Sequence, residues 1–365
     1  MSVINSVVIT FIIALSSFAK ADIYIPDAEY EALMQTYTSD KNYSDVCWLT
    51  SHNSFTYYGP LITSTFIPRN QYRNIKDQLQ YGVRGFMVDL YYKNDDPKNT
   101  IILAHRAQPE PAIWNRRYFK QDFSSPFLET VEEWLRNNPQ DIITIHLESY
   151  VKKYDKIKEA IDAAGLGKYL FDLCEYNGGE AQKGKAQCKW SDGKERRINE
   201  LRWPTLGEMR KQGKNLVVFS DKTEDAGYGI MHVSNTMETQ YDLSKFFICE
   251  KRSEGRAQNA RIFVMNHFYK SRAMPGATVL FNYDKVNKYD GLILRVGACC
   301  FQEKRCPNFM AVDNIGSDGS ADRQIVLAIN NHIDKCRCIA QEFLSEENGE
   351  ESGSSNNEIY DHDEL

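Results

Sequence analysis

Residues 74–92 read NIKDQLQYGVRGFMVDLYY, and this stretch joins a predicted helix to a predicted strand. The helix is expected over residues 74–82, where Gly82 is a typical stop signal. Residues 83–92 follow as a largely apolar run, which is typical of a strand covered on both faces of its sheet. A helix followed directly by a buried strand is the repeating unit of a parallel α/β sheet.

The same alternation continues along most of the chain. Short apolar runs predict further strands at 46–51, 100–106, 141–151, 214–222, 261–268 and 308–315. Residues with helical spacing of apolar positions predict helices at 126–137, 155–171 and 323–333. About seven or eight strand–helix units suit an α/β fold of the distorted, TIM-type (β/α) barrel class with long insertions. A doubly wound open sheet is the main alternative, but no G-x-G-x-x-G motif follows the first strand.

Composition and charge narrow the class of protein. The chain has 365 residues, of which 42% are hydrophobic and 26% charged, and its formal net charge is −6. This is ordinary globular composition, and no interior domain boundary is evident. We therefore expect a single barrel domain over residues 22–344. No basic stripe is present, so nucleic acid is not expected as a partner.

The amino terminus has the features of a secretory signal. Residues 7–18 are almost wholly apolar but too few to span a bilayer comfortably. Small residues then flank Lys20, as at a signal-peptidase cleavage site. We predict that residues 1–21 are a signal peptide, with a membrane anchor or a buried strand as the alternative.

The carboxyl terminus carries a second targeting feature. Residues 345–365 are polar, acidic and rich in Gly and Ser, which predicts a disordered tail. The tail ends in HDEL at 362–365, which matches an endoplasmic-reticulum retrieval signal read by a receptor. We expect the secretory pathway, with the reticulum lumen as location if HDEL functions and secretion otherwise.

Nine cysteines fit an oxidising compartment. Their odd number leaves at least one thiol free or intermolecular. Cys174 and Cys188 bracket a polar loop, so we predict a disulfide between them. A zinc site is the less favoured alternative, because the chain has no doubled C-x-x-C pattern.

Polar side chains recur near the carboxyl ends of the predicted strands. In a barrel these ends converge on one face, where active sites are built. The candidate residues, in chain order, are His52, Asn53, Asp89, His105, Arg106, Glu148, Lys222 and Asp313.

This set of residues suits chemistry on a phosphodiester. Two histidines, here His52 and His105, can act as base and acid because imidazole titrates near neutral pH. Asn, Asp and Glu supply hard oxygen ligands for calcium or magnesium, and Lys222 could add a fixed positive charge near phosphate. Structural interpretations remain open: His146 and His267 as buried structural residues, and Asp313 as a helix cap.

Several motifs occur in a fixed order along the chain. They include LTSHNSF (49–55), QLQYGVRGFMVDLYY (78–92), NPQDIITIHLESYV (138–151) and CPNFMAVDNIGSDGSA (306–321). With these motifs the chain resembles the X-domain phosphatidylinositol-specific phospholipase C superfamily, and most closely its secreted single-domain members from plants and fungi. The resemblance covers roughly residues 45–335 and implies a distorted (β/α) barrel with its active site at the carboxyl ends of the strands.

The resemblance also implies roles for individual residues. His52 matches the first catalytic histidine of the family, and His105 matches the second. The implied substrate is an inositol phospholipid or a related membrane lipid, reached by peripheral membrane contact. Its cleavage would give diacylglycerol and a cyclic inositol phosphate. Asn53, Asp89 and Glu148 fall on the positions that hold calcium in metal-dependent members.

Two departures from the family pattern bear on these roles. Met87 stands where metal-dependent members carry the first of two acids, so we expect a weak calcium site completed by water and substrate phosphate. Arg106 replaces a glycine of the signalling enzymes and is assigned, with Lys222 and Asp313, to substrate binding. The alternatives are a phosphodiesterase for another headgroup, such as a glycerophosphodiesterase, and a non-catalytic lipid-binding descendant.

Overall fold

A computed structural model describes residues 25–57, 70–93, 98, 100–106, 117–151, 154–227, 229–233, 236–241, 249–252, 260–268 and 287–331. For residues 105, 106, 117–121 and 154 it describes the backbone and not the side chain. The predicted signal peptide (1–21) and acidic tail (345–365) lie outside these ranges, so both stay predictions.

Within the described residues, ten strands form one sheet and three form a second, smaller sheet. The strands are β1 Trp48–Ser51, β2 Gly85–Tyr92, β3 Ile101–Arg106, β4 Arg117–Asp122, β5 Ile143–Ser149, β6 Glu180–Ala181, β7 Gln187–Lys189, β8 Glu195–Arg197, β9 Leu216–Ser220, β10 Ile230–His232, β11 Thr236–Glu238, β12 Ile262–His267 and β13 Phe309–Val312. The helices are α1 Asp27–Thr38, α2 Ile75–Gln80, α3 Phe127–Asn137, α4 Tyr154–Ala163, α5 Leu173–Tyr176, α6 Leu206–Gln212, α7 Tyr289–Glu303 and α8 over 322–331.

The main sheet is curled. Its order is β10-β9-β5-β2-β1-β13-β12-β11, and each neighbouring pair is parallel. The two edge strands follow each other in the chain, so four Cα–Cα steps of about 3.8 Å hold His232 and Thr236 within about 15 Å. Eight strands in a flat sheet would place the edges roughly 34 Å apart. The sheet must therefore curl back on itself, which confirms the predicted α/β barrel-like class.

β3 departs from the expected parallel arrangement. It pairs antiparallel with β2, with Leu103 opposite Leu90, and antiparallel with β4. The expectation that its carboxyl end lies at the same edge as those of the parallel strands is therefore wrong. Residues 93–100 are fewer than the dozen or so that a parallel crossover needs, so the chain turns back as a hairpin.

Most predicted helices and strands lie within three residues of their expected bounds. Gly82 has a φ of 96°, which explains why α2 ends just before it. The helix over 155–171 was predicted with a glycine break near its end, and the break is found: α4 ends at Ala163 and Gly165 has a φ of 76°. A left-handed residue cannot continue a right-handed helix.

The disulfides agree with the oxidising compartment. Cys174 is bonded to Cys188, as predicted, and this bond fixes α5 to β7. Two further disulfides join Cys249 to Cys299 and Cys300 to Cys306, while Cys47 is a free, buried thiol.

Candidate active site

His52 follows β1 directly and lies beside the end of β13. Its backbone nitrogen donates to Val312 O at 3.1 Å, and its ring stacks on Phe268 with centroids 3.6 Å apart. Nδ1 lies 2.8 Å from Asp313 Oδ1. An ionised carboxylate only accepts hydrogen bonds, so in the neutral ring the proton belongs on Nδ1 and the lone pair on Nε2. The ring is thus held in the orientation and tautomer that a general base needs.

Asp313 contacts this histidine directly, and its assignment to substrate binding stays a prediction. Its side chain is 5% exposed, and both of its oxygens accept from Asn70 Nδ2, at 3.0 and 3.1 Å. The carboxylate is therefore fixed on one side by an amide and on the other by the imidazole. Its geometry suits orientation of His52 and stabilisation of the imidazolium ion.

The three predicted calcium ligands come from adjacent strands. Asp89 of β2 and Glu148 of β5 are direct partners in the parallel ladder, so their side chains leave the same face of the sheet. Asn53 follows β1 with a φ of 45°, and the next residue donates from its backbone to Met87 O at 3.0 Å. Two carboxylates and an amide are hard oxygen donors that fit calcium.

The face that carries these carboxylates is the inside of the barrel. His146 is the ladder partner of Met87 and lies two residues before Glu148. Its ring packs 5.3 Å from Phe219 and 4.7 Å from Phe309, which come from strands on opposite sides of β5 in the sheet order. His146 is therefore a buried structural residue, and Glu148 lies above it toward the mouth. Among the described residues, this site included, no group of three or more His, Cys, Asp or Glu side chains is placed to hold a metal ion.

Tyr150 and Lys222 form one flank of the mouth. Tyr150 is 44% exposed, stacks on Tyr91 at 4.5 Å and donates its hydroxyl to Glu148 Oε1. Burial, and then the negative charge of Glu148, raise the pKa of the Tyr150 hydroxyl, so it remains a donor at neutral pH. Lys222 Nζ lies 5.8 Å from the Tyr150 ring and 3.1 Å from Asp221 Oδ2.

The other flank holds a cation that was not predicted. Phe268 stacks on His52, and the ring centroid of Tyr241 lies 5.9 Å from that of Phe268. The Arg252 guanidinium lies 4.0 Å above the Tyr241 ring. The Arg252 guanidinium is also 3.5 Å from Glu238 Oε2. The strand-end pattern missed Arg252 because it follows no predicted strand. Glu238 and Tyr241 lie in METQYD (237–242), a motif that carried no assigned role.

The remaining predicted residues are only partly placed. His105 and Arg106 end β3, two and three residues after the ladder partner of Leu90. Their side chains lie outside the described part of the chain, so their roles stay predictions. His267 is fully buried on β12, in agreement with a structural role.

Together these groups define a class of protein: an α/β barrel with a carboxylate-held histidine and hard oxygen donors at its mouth. The chain belongs to the PI-PLC X family, whose family model matches residues 38–176 and 179–328.

Three curated proteins illustrate the similarity. A PI-PLC X domain-containing protein of Arabidopsis thaliana is 28% identical over 80% of this chain and 63% of its own length. PI-PLC X domain-containing protein 1 of Arthroderma benhamiae is 25% identical over 62% of this chain and 65% of its own length. A protein of the same fungus named as an uncharacterized secreted protein is 23% identical over 82% and 64%. The chain thus spans less than two thirds of the length of these relatives.

Two solved structures are similar at low sequence identity. The phosphatidylinositol-specific phospholipase C from Listeria monocytogenes is 16% identical with a TM-score of 0.49, over 82% of this chain and 97% of that one. A mutant of the Staphylococcus aureus enzyme is 14% identical with a TM-score of 0.48, over 81% and 96%. Among the residues that the structure describes, no helix is long and apolar enough to cross a membrane.

Proposed function

We propose that the protein cleaves phosphatidylinositol, or a related inositol lipid, between phosphate and glycerol. The observation that carries this proposal is the His52–Asp313 pair, 2.8 Å apart at the mouth of a PI-PLC X barrel. A histidine whose Nδ1 is held by a buried carboxylate can take a proton through Nε2 and remain stabilised as an imidazolium ion.

In the proposed reaction, the inositol 2-hydroxyl attacks phosphorus. His52 takes the hydroxyl proton as a new oxygen–phosphorus bond forms. The bond from phosphorus to the glycerol oxygen breaks, and His105 gives a proton to that leaving oxygen. The products are diacylglycerol and a cyclic inositol phosphate. Although β3 is reversed, the backbone of His105 lies two residues past the ladder partner of Leu90 and so runs alongside β2, which carries Asp89. The role of His105 itself rests on its position in the family motif.

Asn53, Asp89 and Glu148 would hold a calcium ion in this site. When bound, the ion would neutralise negative charge that develops on the phosphoryl oxygens. Met87, beside Asp89 on the same face of β2, offers no oxygen, so we expect weak binding. Lys222, on the Tyr150 flank, would contact phosphate, and Arg106, which follows His105 directly in the sequence, is assigned the same role.

Calcium binding has a test that needs no substrate. A ligand that binds only the folded state raises the melting temperature, and above its Kd the stabilisation grows with the logarithm of the ligand concentration. We expect calcium in the millimolar range to raise the melting temperature of the wild type. Asp89→Asn and Glu148→Gln should abolish the shift. An identical shift in all three proteins would eliminate this site.

The proposed location is the secretory pathway. The predicted signal peptide, the three disulfides and a relative named as secreted support it. Retrieval by a receptor through HDEL would keep the protein in the reticulum lumen, where it would meet lipid by peripheral contact.

The function is tested by product analysis on vesicles that contain phosphatidylinositol, with and without chelator. We expect a cyclic inositol phosphate from the wild type and none from His52→Ala or His105→Ala. Unchanged turnover in both variants would refute the two-histidine mechanism. A product from another headgroup would indicate a different phosphodiesterase, and saturable lipid binding without any product would indicate a non-catalytic descendant.

A further inference from the structure

Asn70 lies at the carboxyl ends of β1 and β13, in the segment that leads into α2, and is 4% exposed. Its backbone nitrogen donates to Thr56 Oγ1 at 3.0 Å, and its carbonyl oxygen accepts from the Asn314 nitrogen at 2.6 Å. The Asn70 backbone is thereby tied to the loops that follow both strands. Its position is set before its side chain makes any contact.

The two ends of the Asn70 amide contact different parts of the site. Nδ2 donates to both oxygens of Asp313, at 3.0 and 3.1 Å. Oδ1 accepts from Thr56 Oγ1 at 2.9 Å and from Asn53 Nδ2 at 3.2 Å. A carboxylate can only accept, so the nitrogen must face Asp313 and the oxygen must face Asn53.

The contact with Asn53 fixes the orientation of that amide as well. Asn53 directs Nδ2 toward Asn70, so the opposite end of the Asn53 amide carries the carbonyl oxygen. That oxygen is the atom that would ligate a cation. A single buried side chain therefore joins the group that orients His52 to a proposed metal ligand.

Gln71 makes the corresponding backbone connection. Its Nε2 donates to His52 O at 2.7 Å and to Val312 O at 3.0 Å, and its Oε1 accepts from the Ile315 nitrogen at 3.2 Å. The ends of β1 and β13 are thus held together by side chains of two consecutive residues. Gln71 holds the backbones, and Asn70 holds the functional side chains.

We propose that Asn70 is a positioning residue that couples the His52–Asp313 pair to Asn53. Both Asp313 oxygens are occupied by the Asn70 amide, so the carboxylate cannot rotate away from His52 without breaking two buried hydrogen bonds. Loss of such bonds to a buried charged group is costly. The catalytic meaning of this coupling rests on the proposed function, but the coupling itself is a property of the folded protein.

The first test is spectroscopic and needs no substrate. In the proton NMR spectrum of the wild type, we expect the Nδ1 proton of His52 to give a downfield imidazole signal. This signal is assigned by its loss in His52→Gln. Asn70→Ala should shift or broaden that signal, because Asp313 loses its second anchor. Asn308→Ala is the matched control. Asn308 is a buried asparagine at the amino end of β13 that also joins neighbouring segments, with Nδ2 2.7 Å from Ser44 O.

The second test is kinetic. Removal of a group that orients a catalytic residue typically costs about 10- to 100-fold in activity. We expect that loss in kcat for Asn70→Ala, with KM little changed. Asn70 Nδ2 also lies 3.4 Å from His52 Nδ1, but a protonated Nδ1 cannot accept a hydrogen bond, so we expect Asn70 to act through Asp313. The double variant Asn70→Ala/Asp313→Asn should then be no slower than Asp313→Asn alone.

Thr56 provides a milder pair of variants if Asn70→Ala does not fold. Thr56→Val removes the hydroxyl that supports Asn70 Oδ1, whereas Thr56→Ser keeps it. We expect a shifted His52 signal in the first and the wild-type signal in the second. An unchanged signal in Asn70→Ala or Thr56→Val, or an equal change in Asn308→Ala, would overturn the proposal. A wild type that shows the signal but cleaves no lipid would count against the proposed function alone.

Discussion

Replacement of Asp313 by Asn tests the acid–base pair directly. The substitution preserves the size and shape of the side chain but removes its charge. It also allows the new amide nitrogen to face His52 Nδ1, in which case the ring would carry its proton on Nε2. That nitrogen would then be a donor and could not act as the base.

The expected magnitude follows from the geometry. Nδ1 and Oδ1 are 2.8 Å apart, and the two side chains are 19% and 5% exposed. Unit charges about 4 Å apart interact by about 4 kcal/mol at an effective dielectric constant near 20. Since about 1.4 kcal/mol corresponds to a factor of ten in rate, the full loss would be about 1,000-fold. Partial solvent screening of His52 lowers the expectation to about 100- to 1,000-fold.

The assay is release of cyclic inositol phosphate from phosphatidylinositol vesicles, measured as kcat for Asp313→Asn and the wild type. Asp322→Asn is the control, because Asp322 is a fully buried acid in the same region that accepts from Tyr81 Oη at 2.8 Å. This control should lose stability and keep its kcat. An Asp313→Asn enzyme within about threefold of the wild type would refute the role given to the carboxylate, and so would an equal kcat loss in the control.

Three further predictions concern Tyr150 at the mouth of the barrel, the Cys174–Cys188 disulfide and Glu31 in helix α1. Tyr150→Phe removes the hydroxyl that Glu148 accepts from, so calcium should bind with altered affinity in a thermal-shift titration while the fold remains intact. Loss of the Cys174–Cys188 disulfide through Cys188→Ser should lower the free energy of unfolding by about 3 kcal/mol in urea denaturation. Burial raises the pKa of Glu31, so its contribution to stability is present at low pH and lost as pH rises through the folded-state pKa. Glu31→Gln should therefore flatten the dependence of unfolding free energy on pH above pH 4.5.

Each of these has an outcome that contradicts it. Identical calcium titrations for Tyr150→Phe and the wild type would mean that the hydroxyl does not influence Glu148. An unfolding free energy unchanged by Cys188→Ser would show that the disulfide does not constrain the unfolded chain. A steeper pH dependence in Glu31→Gln would show that the paired Arg84, 2.8 Å away, outweighs burial.

The barrel could be predicted because its signals are local. An apolar run such as 141–151 becomes a buried strand wherever both of its faces are covered, and β5 indeed lies at Ile143–Ser149. Strand direction is not encoded in such a run. The sequence signal for the reversal of β3 is the short connection at 93–100, which the prediction did not take into account. α1 was also missed, although Tyr30, Met34 and Thr38 recur every four residues and are buried.

In the candidate site, too, residues near strand ends were predictable from the sequence and residues in loops were not. The proximity of Asp89 and Glu148 could be predicted from the sequence, because the carboxyl ends of parallel strands lie at one edge of the sheet and both residues are near such ends. Asn70 and Phe268 could not, because their contacts with Asp313 and His52 join segments that are distant along the chain. No periodicity links a loop residue at 70 to a strand end at 313. The partners of a catalytic group are thus less predictable than the group itself.

The proposal of a bound cation has an argument in the ladder as well as in the family motif. Asp89 and Glu148 are direct partners on one face, and like charges so placed repel unless a positive group lies near them. Lys222 lies on the Tyr150 flank and is 43% exposed, so water screens much of its charge. Arg252 lies on the opposite flank, 3.5 Å from Glu238, and also interacts electrostatically with Glu148, so it offsets only part of the repulsion. A calcium ion between the two carboxylates would relieve the repulsion most directly. Met87 would then set its affinity, because this side chain replaces an oxygen donor at the position nearest Asp89 on the same strand face.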